Sequence, residues 1–506
     1  MAQAASIRLY RGLIAVLLPL WGMVGCSGSR KEPPLPDDDT LLRIEFRMSD
    51  TEWQRHHQDR SCKSRPETVI RTGRGDTLYA DKALQLKGRG NSTWQERKKP
   101  YSLRLREDIT LPGMGPSSRY ILLANAFDES FIRNAAGLQL SQRCGLGGAD
   151  YTYALLYVNN SCKGLYLLTT RPTEPRPEKE AVLYISGYED DATFISRQGT
   201  AVSLKEGKRY GSEERKKIER LYNLFESAVM QPDGIDPETG TYYADIADIG
   251  QLAVQYAAQE VIGNQDAGMG SVYLTCCTEP GRERISAGPL WDTDLSLNNP
   301  RSPAACKAAE VLWAASPRQT GDDTFKGLYY YLWQHEDFRI CARKAYCNCV
   351  RQAMRQTLDS CLQEAERITN AAERDRRLYP ENVRSRRYSE ATARLKDYAE
   401  RRMAYFDRLV EEAGPMVCIY LCFDRKDTVH PDNKEVMLWV PAGEDTTLPI
   451  AQDYRHIGDY WVLEATGERL PEKVCFTQTE RAGLHISPLT RAGRWLDRKR
   501  RALRAL

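Results

Sequence analysis

Apolar and polar residues alternate along Leu42-Arg43-Ile44-Glu45-Phe46-Arg47-Met48. That period of two is what a half-buried strand needs. The same alternation over residues 83–86 and 101–105 predicts two strands around a turn-rich insert, Gly88-Arg89-Gly90-Asn91-Ser92-Thr93. Residues 120–124 form a short apolar run, read as a strand. Residues 130–144 predict a helix, with Phe131, Ala135, Leu138 and Leu140 apolar. Residues 151–158 and 164–169 read as a hairpin around Asn159-Asn160. Three prolines and several charges make 171–180 a linker. Helices are expected over 212–229 and 246–262, and a second hairpin over 272–275 and 285–291. Residues 325–413 read as largely helical, with many arginines on the solvated face. After Gly414-Pro415 the pattern returns to short strands at 417–423, 435–440 and 460–464, which predicts a small β domain.

The amino terminus adds a compartment. Arg8 and Arg11 precede an apolar run of about a dozen residues, 13–24. The run is too short to span a bilayer comfortably and has the length of a signal-peptide core. It ends in Met23-Val24-Gly25-Cys26, which resembles a bacterial lipobox, so Cys26 is the expected lipidation site. The polar, proline-rich stretch 27–40 suits a tether. The expected organisation is therefore a lipoprotein signal peptide (1–26), a tether (27–40), a β-rich N-terminal lobe (41–175), a mainly helical C-terminal lobe (176–413), a small β domain (415–490) and a basic tail (491–506). Such a chain belongs at the bacterial cell envelope, in the outer membrane or at the cell surface. Its tail carries Arg498, Lys499, Arg500 and Arg501.

Composition narrows the class. The 506 residues carry 72 Lys+Arg against 69 Asp+Glu, a net charge of +3. So even a balance argues against a dedicated nucleic-acid binder. Apolar residues are 41% and charged residues 28%, as in a soluble globular protein, and the strand and helix patterns above make its expected class α+β. Thirteen cysteines follow Cys26, an odd number, and no CxxC spacing occurs. With only six histidines, a structural zinc site is not expected. Cys341, Cys347, Cys349 and Cys361 fall in one helical region, where a bridge to Cys306 is one option among several.

Three constellations carry chemistry. In the first, Gly88 and Gly90 free the backbone of a turn whose N–H groups can cradle an anion. From Lys87 to Arg106 there are seven basic residues against one acid, Glu96. Phosphate binding by Arg89, Asn91, Ser92, Lys98 and Lys99 makes electrostatic sense, and a basic hairpin without a ligand is the plain alternative. The second constellation is Asn264-Gln265-Asp266, at the end of an apolar helical run. The third is Trp291-Asp292-Thr293-Asp294. Carboxylates two apart can converge on a hard cation that also holds substrate phosphates. A separate carboxylate, Asp266, can then serve a hydroxyl as base.

In this order the pieces resemble a known family. The run LQLKGRGNSTWQERKKPYSLRL resembles the RGNSS…KKPY signature of the CotH spore-coat kinase family. Leu122-Leu123-Ala124-Asn125 with Asp128 and Arg133-Asn134 resembles its LLAN…D…RN block. Tyr157-Val158-Asn159-Asn160 with Gly164-Leu165-Tyr166 resembles VYVNG…GLYLL. Asn264-Gln265-Asp266 with Tyr273 resembles N-x-D…YLY, and Gly288-Pro289-Leu290-Trp291-Asp292-Thr293-Asp294 resembles GPVWDFD. The resemblance implies an atypical bilobal protein-kinase-like fold that uses ATP with Mg²⁺ or Mn²⁺. Asp266 would position the acceptor hydroxyl. Asp292 would bind metal with Asp294 assisting, and Lys98 or Lys99 would neutralise phosphate.

Two positions depart from the family pattern. Ser271 stands where an Asn metal ligand is usual, and Thr170 stands where a Glu suited to pair a phosphate-binding Lys is usual. Two functions therefore follow from the sequence. One is metal- and ATP-dependent phosphoryl transfer to hydroxyls of an envelope protein. The other is a surface binding or structural lipoprotein on a degenerate kinase scaffold, with an unidentified surface ligand.

Overall fold

The computed structural model describes residues 41–485, except 173–179, 187–191, 206–209, 265, 268–269, 300–308, 321–322, 412–415, 423–434, 449–459 and 472. The stretches expected to be a signal peptide and a tether, with Cys26, as well as the basic tail, Cys306 and most of the expected 171–180 linker, lie outside the described residues.

The N-terminal half is built on one nine-stranded sheet. Its strands are β1 (Leu42–Arg47), β2 (Lys63–Ser64), β3 (Glu67–Arg71), β4 (Thr77–Lys82), β5 (Gln85–Gly88), β6 (Tyr101–Thr110), β7 (Pro116–Leu123), β8 (Tyr151–Val158) and β9 (Ser161–Thr169). Their order is β2-β5-β6-β7-β9-β8-β1-β3-β4. β1 and β8 run parallel, and the other pairs are antiparallel. The alternation seen in the sequence sets the inward face: Ile44, Phe46, Leu86, Tyr101, Leu103, Leu122 and Leu156 share one core. Asn159 and Asn160 take φ of 49° and 64°, the left-handed pair that a tight hairpin requires.

Helix α1 (Asp50–Gln58) follows β1. It has little apolar surface and relies on its ends. Ser49 accepts a hydrogen bond from the Glu52 amide, and Asp50 and Glu52 sit in the first turn, where acids are favoured. Helix α2 (Arg133–Arg143) lies between β7 and β8 and is buried along most of its length.

The segment expected to be mainly helical opens instead with sheet. β10 (Ala181–Ile185), β11 (Phe194–Ile195) and β12 (Ala201–Leu204) join the hairpin β13 (Val272–Cys277) and β14 (Arg284–Ala287) in the order β11-β12-β10-β13-β14. Strand β14 stops at Ala287, short of the expected 291. Gly288 is pressed against the Tyr273 backbone, where a Cβ would stand 2.8 Å from its carbonyl carbon. The chain then leaves the sheet as an irregular segment that carries Asp292 and Asp294. Helices α3 (Ser212–Val229), α4 (Ile249–Val261), α5 (Leu328–Gln334), α6 (Glu336–Ala345), α7 (Arg351–Arg367), α8 (Thr369–Leu378) and α9 (Tyr388–Glu411) complete this part. A small hairpin, β15 (Arg318–Thr320) and β16 (Asp323–Phe325), precedes α5. Cys341, Cys347, Cys349 and Cys361 carry free thiols.

The three expected C-terminal strands are present as β17 (Met416–Cys422), β18 (Glu435–Pro441) and β20 (Tyr460–Leu463), and three more that were not expected join them, β19 (Asp445–Thr447), β21 (Lys473–Cys475) and β22 (Glu480–His485). Four of them form a sheet in the order β18-β17-β22-β20. It is docked on the helices: the Leu312 amide donates to the Met437 carbonyl, and the Trp333 and Trp439 rings meet edge-on at 4.9 Å. The whole is a mixed α+β architecture. No helix among the described residues is long and apolar enough to cross a membrane.

Candidate active site

The start of α2 holds the irregular segment after β14 in place. Asp128 accepts from the Ser130 and Arg133 amides at 2.9 Å each and pairs with the Arg133 guanidinium. Arg133 in turn donates to the Ser296 and Leu297 carbonyls. Asn134 Oδ1 accepts from the Thr293 amide at 3.1 Å, and the Thr293 hydroxyl donates to the Arg133 carbonyl at 2.9 Å. Gly137 makes this approach possible, since a Cβ there would collide with the Thr293 side chain. Residues 128–134 thus act as a clasp, every polar group of which is buried and matched.

The clasp presents Asp292 on an exposed position while burying Thr293 and Asp294. Asp292 has φ of 60° and Ser271, across from it, has φ of 58°. Left-handed backbone in a residue other than glycine costs energy and gathers at functional sites. The two side chains meet: Ser271 Oγ donates to Asp292 Oδ2 at 3.1 Å. The Tyr184 hydroxyl lies 3.2 Å from the same Ser271 Oγ. Tyr184, from β10, packs its ring 4.7 Å from that of Tyr273 on β13. Burial pushes the Tyr184 phenol up to about 12, with the charge of Asp292 adding to it.

Arg89 reaches this corner from the end of β5. Its guanidinium lies 5.5 Å from the centre of the Trp291 ring. Burial pulls its pKa down, against the opposing influence of Tyr273, Asp292 and Tyr184. Its Nη1 is buried and has no hydrogen-bond acceptor in the protein. Lys205 Nζ sits 4.0 Å over the Tyr184 ring. A narrow crevice, too small to hold a water molecule, adjoins Asp292 and is lined by Leu123, Asn134, Leu138, Leu290 and Trp291.

Asp266 follows α4. The Asn264 side chain positions it, accepting from the Asp266 amide at 3.1 Å while donating to Gln259. Its charge reaches Tyr184, which places it in the same electrostatic neighbourhood as Asp292.

The basic stretch divides. Asn91 accepts from Arg60, whose Nη1 also donates to the Gly90 carbonyl at 2.7 Å. Ser92 is exposed at the start of a single 3₁₀ turn (Thr93–Gln95). The room at Gly88 is taken by the Trp94 ring, from which a Cβ would stand 2.5 Å. The close approach that this glycine permits is therefore to the protein's own indole. Lys99 donates to the Trp94 carbonyl at 2.5 Å. Lys98 is buried: its Nζ donates to Asp375 Oδ2 and to the Leu165 carbonyl, each at 2.5 Å, among the rings of Phe131, Tyr166 and Tyr379. Thr170, in the place of the usual Glu, exchanges hydrogen bonds with the Asp150 backbone. The carboxylate that holds Lys98 comes from α8 instead.

The donor set suits a hard cation and a phosphate. Asp292 and the Ser271 hydroxyl supply oxygens side by side, and Arg89 supplies a buried N–H that lacks an acceptor. Among the described residues no three His, Cys, Asp or Glu side chains form a ready cage. That fits Mg²⁺, which usually takes one or two carboxylates and completes its shell with water and substrate phosphates. Sequence reasoning did not find Tyr184, Lys205 or Asp375. The first two lie on or beside short strands that carry no clear alternation, and Asp375 sits on an arginine-rich helix.

No curated protein matches the chain. Residues 86–406 match the family described as CotH kinase protein. That span takes in the basic stretch, the α2 clasp, Asp266, Ser271 and the Asp292 segment. More than half of the chain is covered, and the chain belongs to the CotH kinase protein family.

Proposed function

We propose that this chain is an exported, lipid-anchored phosphotransferase of bilobal kinase-like build, which moves a phosphoryl group from ATP with Mg²⁺ or Mn²⁺ to hydroxyls of an envelope protein. The observation that carries the reading is the buried Arg89 Nη1, lacking an acceptor, beside the Ser271–Asp292 pair. An unpaired buried donor is costly, and a phosphate oxygen would satisfy it. Asp292 and Ser271, with Asp294 behind them, would hold the metal, whose chemistry is to neutralise charge on the transferring group. Arg89 would orient phosphate oxygens, with Asn91, Ser92 and Lys99 at the rim. Asp266 would accept the proton of the acceptor hydroxyl. Phosphoryl transfer asks for such positioning and charge more than for covalent help.

Two observations favour a second reading, a degenerate scaffold that binds a surface ligand without transfer. Lys98 is 1% exposed and closed in by Asp375, the Leu165 carbonyl and three aromatic rings. The crevice beside Asp292 is too small to hold even a water molecule, so a nucleotide would lie across the exposed side of Asp292.

One experiment separates the two. The full chain is taken from envelope membranes, where Cys26→Ser should remove it to the soluble fraction. It is incubated with ATP and Mg²⁺ or Mn²⁺, alone and with envelope extract, and read by intact mass. Transfer should appear in wild type and fall ~10²–10⁴-fold in Asp266→Asn, the usual contribution of a general base. Mass unchanged in wild type under every condition would sink the phosphotransferase reading.

A further inference from the structure

Two polar side chains link the five-stranded sheet to the exposed carboxylate of Asp292, after β14: Tyr184 on β10 and Ser271 just before β13. Tyr184 lies 3.2 Å from Ser271, and Ser271 donates to Asp292 at 3.1 Å. We infer that Tyr184 is a positioning residue, whose hydroxyl fixes the Ser271 hydroxyl and through it the carboxylate of Asp292 for a divalent cation. This rests on the metal-binding reading of Asp292 proposed above.

The need for such a residue follows from chain length and backbone. Serine is short and its hydroxyl hydrogen rotates about the Cβ–Oγ bond to suit any partner, so alone it defines no ligand direction. Ser271 is also held at φ of 58°, and Asp292 at 60°. A strained backbone persists only where surrounding contacts over-determine it. Tyr184 is the contact that the fold can place there. Its strand pairs with β13 so that Tyr184 stands opposite Tyr273 and Ile185 opposite Val272. Ser271 is therefore one residue beyond the last pair, where the Tyr184 phenol meets it at 3.2 Å. The Tyr273 ring at 4.7 Å and Lys205 at 4.0 Å hold the Tyr184 ring from two directions. The Asp292 carboxylate can only accept, so it fixes the direction of the Ser271 proton and leaves the Tyr184 hydroxyl as the donor to Ser271. The remaining lone pair of the serine hydroxyl is left for a cation. Arg89 Nη1, buried without an acceptor next to this chain, marks the same corner as one awaiting an anion.

The test is Mn²⁺ binding to the full chain in the presence of a non-hydrolysable ATP analogue, followed by calorimetry, with melting temperature recorded for each variant. Tyr184→Phe removes one oxygen and keeps the ring. It should raise the Mn²⁺ Kd about five- to tenfold, the loss expected of one hydrogen bond, with the melting temperature within about 2 °C of wild type. Ser271→Ala should weaken binding at least as much. Because Tyr184 acts through Ser271, the double variant should bind no more weakly than Ser271→Ala alone. If wild type binds Mn²⁺ and Tyr184→Phe binds it equally well, the positioning role is wrong and the metal site stands. Additive losses in the double variant would also overturn the role, since Tyr184 would then act independently of Ser271. If wild type binds no Mn²⁺, the metal reading of Asp292 fails, and the role of Tyr184 falls with it.

Discussion

Lys98 and Arg89 come from one basic stretch, and the fold treats them in opposite ways. Lys98 is 1% exposed and fully engaged, by Asp375, by the Leu165 carbonyl and by three aromatic rings. Arg89 keeps a buried nitrogen without an acceptor and faces an exposed carboxylate held on strained backbone. Both cations are pulled toward neutrality by burial, and only Lys98 has a hydrogen-bonded carboxylate in compensation. A cation whose charge is already matched holds the fold together. A cation that is only partly buried and keeps one nitrogen without an acceptor is the candidate for a ligand from outside the chain. The basic character of the stretch, taken as a whole, conceals that division.

The comparison breaks most visibly at the Lys98 side. Lys98→Met should destabilise the protein by ~3–5 kcal/mol, the cost of stranding one partner of a buried pair. Asp375 would be left beside the Leu165 amide that already donates to it at 2.7 Å. The double variant Lys98→Met/Asp375→Leu should recover part of the loss and not all of it, because both the amide and the carbonyl of Leu165 then lose a partner. Denaturant unfolding of the single and double variants measures this. A change under about 1 kcal/mol in Lys98→Met would mean that Lys98 is not a structural cation.

Legibility in the sequence followed range. Strand β1, the 151–169 hairpin, α2, α3, α4, the helices after 325 and strands β17, β18 and β20 all announce themselves by local period, and the structure has them. The clasp residues Asp128, Arg133 and Asn134 and the carboxylates Asp266 and Asp292 were legible through motif resemblance. Helix α1 was not drawn, although Ser49 and Glu52 make a recognisable capping box before it; its lone apolar Trp53 gives no helical stripe. Strands β10 to β12 are four or five residues at most and lie in a region of mixed charge. That is why Tyr184 was invisible. The Lys98–Asp375 pair spans 277 positions and has no local signature at all. What sequence cannot supply is the partner: the same lysine reads as a phosphate ligand until Asp375 is seen against it.

A second matched charge sharpens the comparison at intermediate size. Glu129 accepts from the Arg384 amide at 2.8 Å, the Ser385 amide at 2.9 Å and the Ser385 hydroxyl at 2.8 Å, beside Arg376 and Arg394. Burial alone would raise its pKa, but these donors and the Arg394 charge outweigh burial and hold the carboxyl below its ordinary value. A folded-state pKa below the unfolded one stabilises the protein above the unfolded value, near pH 4.3. That stability is lost as pH falls through the folded value. Glu129→Gln should therefore cost about 1.5–3 kcal/mol at pH 7, the worth of hydrogen bonds to a charged group. The gap from wild type should shrink as both are unfolded at progressively lower pH below about 4. A gap independent of pH would assign the loss to shape and not to charge.

The smallest effect on stability should come from Arg89, and it is the one that decides the other half of the comparison. Arg89→Met keeps most of the apolar stem and removes the charge. It forfeits the contact with Trp291, worth ~0.5–2 kcal/mol, and relieves a desolvated donor that has no acceptor, a penalty of ~1–3 kcal/mol. These terms oppose each other, so the net change in stability should be within about 1 kcal/mol, with either sign. Ligand response should behave differently. A nucleotide–metal complex present at a hundredfold excess over its Kd stabilises the folded state by ~2.7 kcal/mol, which reads as a rise in melting temperature. Arg89→Met should lose most of that rise. Arg89→Lys should not restore it, because an ammonium lacks the planar fork that grips two phosphate oxygens. Lys99→Met, which removes a cation already donating to the Trp94 carbonyl, should keep more of the rise than Arg89→Met does. If Arg89→Met melts several degrees lower without ligand and keeps the full ligand-induced rise, then Arg89 belongs with Lys98, and the unmatched nitrogen is a cost that the fold simply carries.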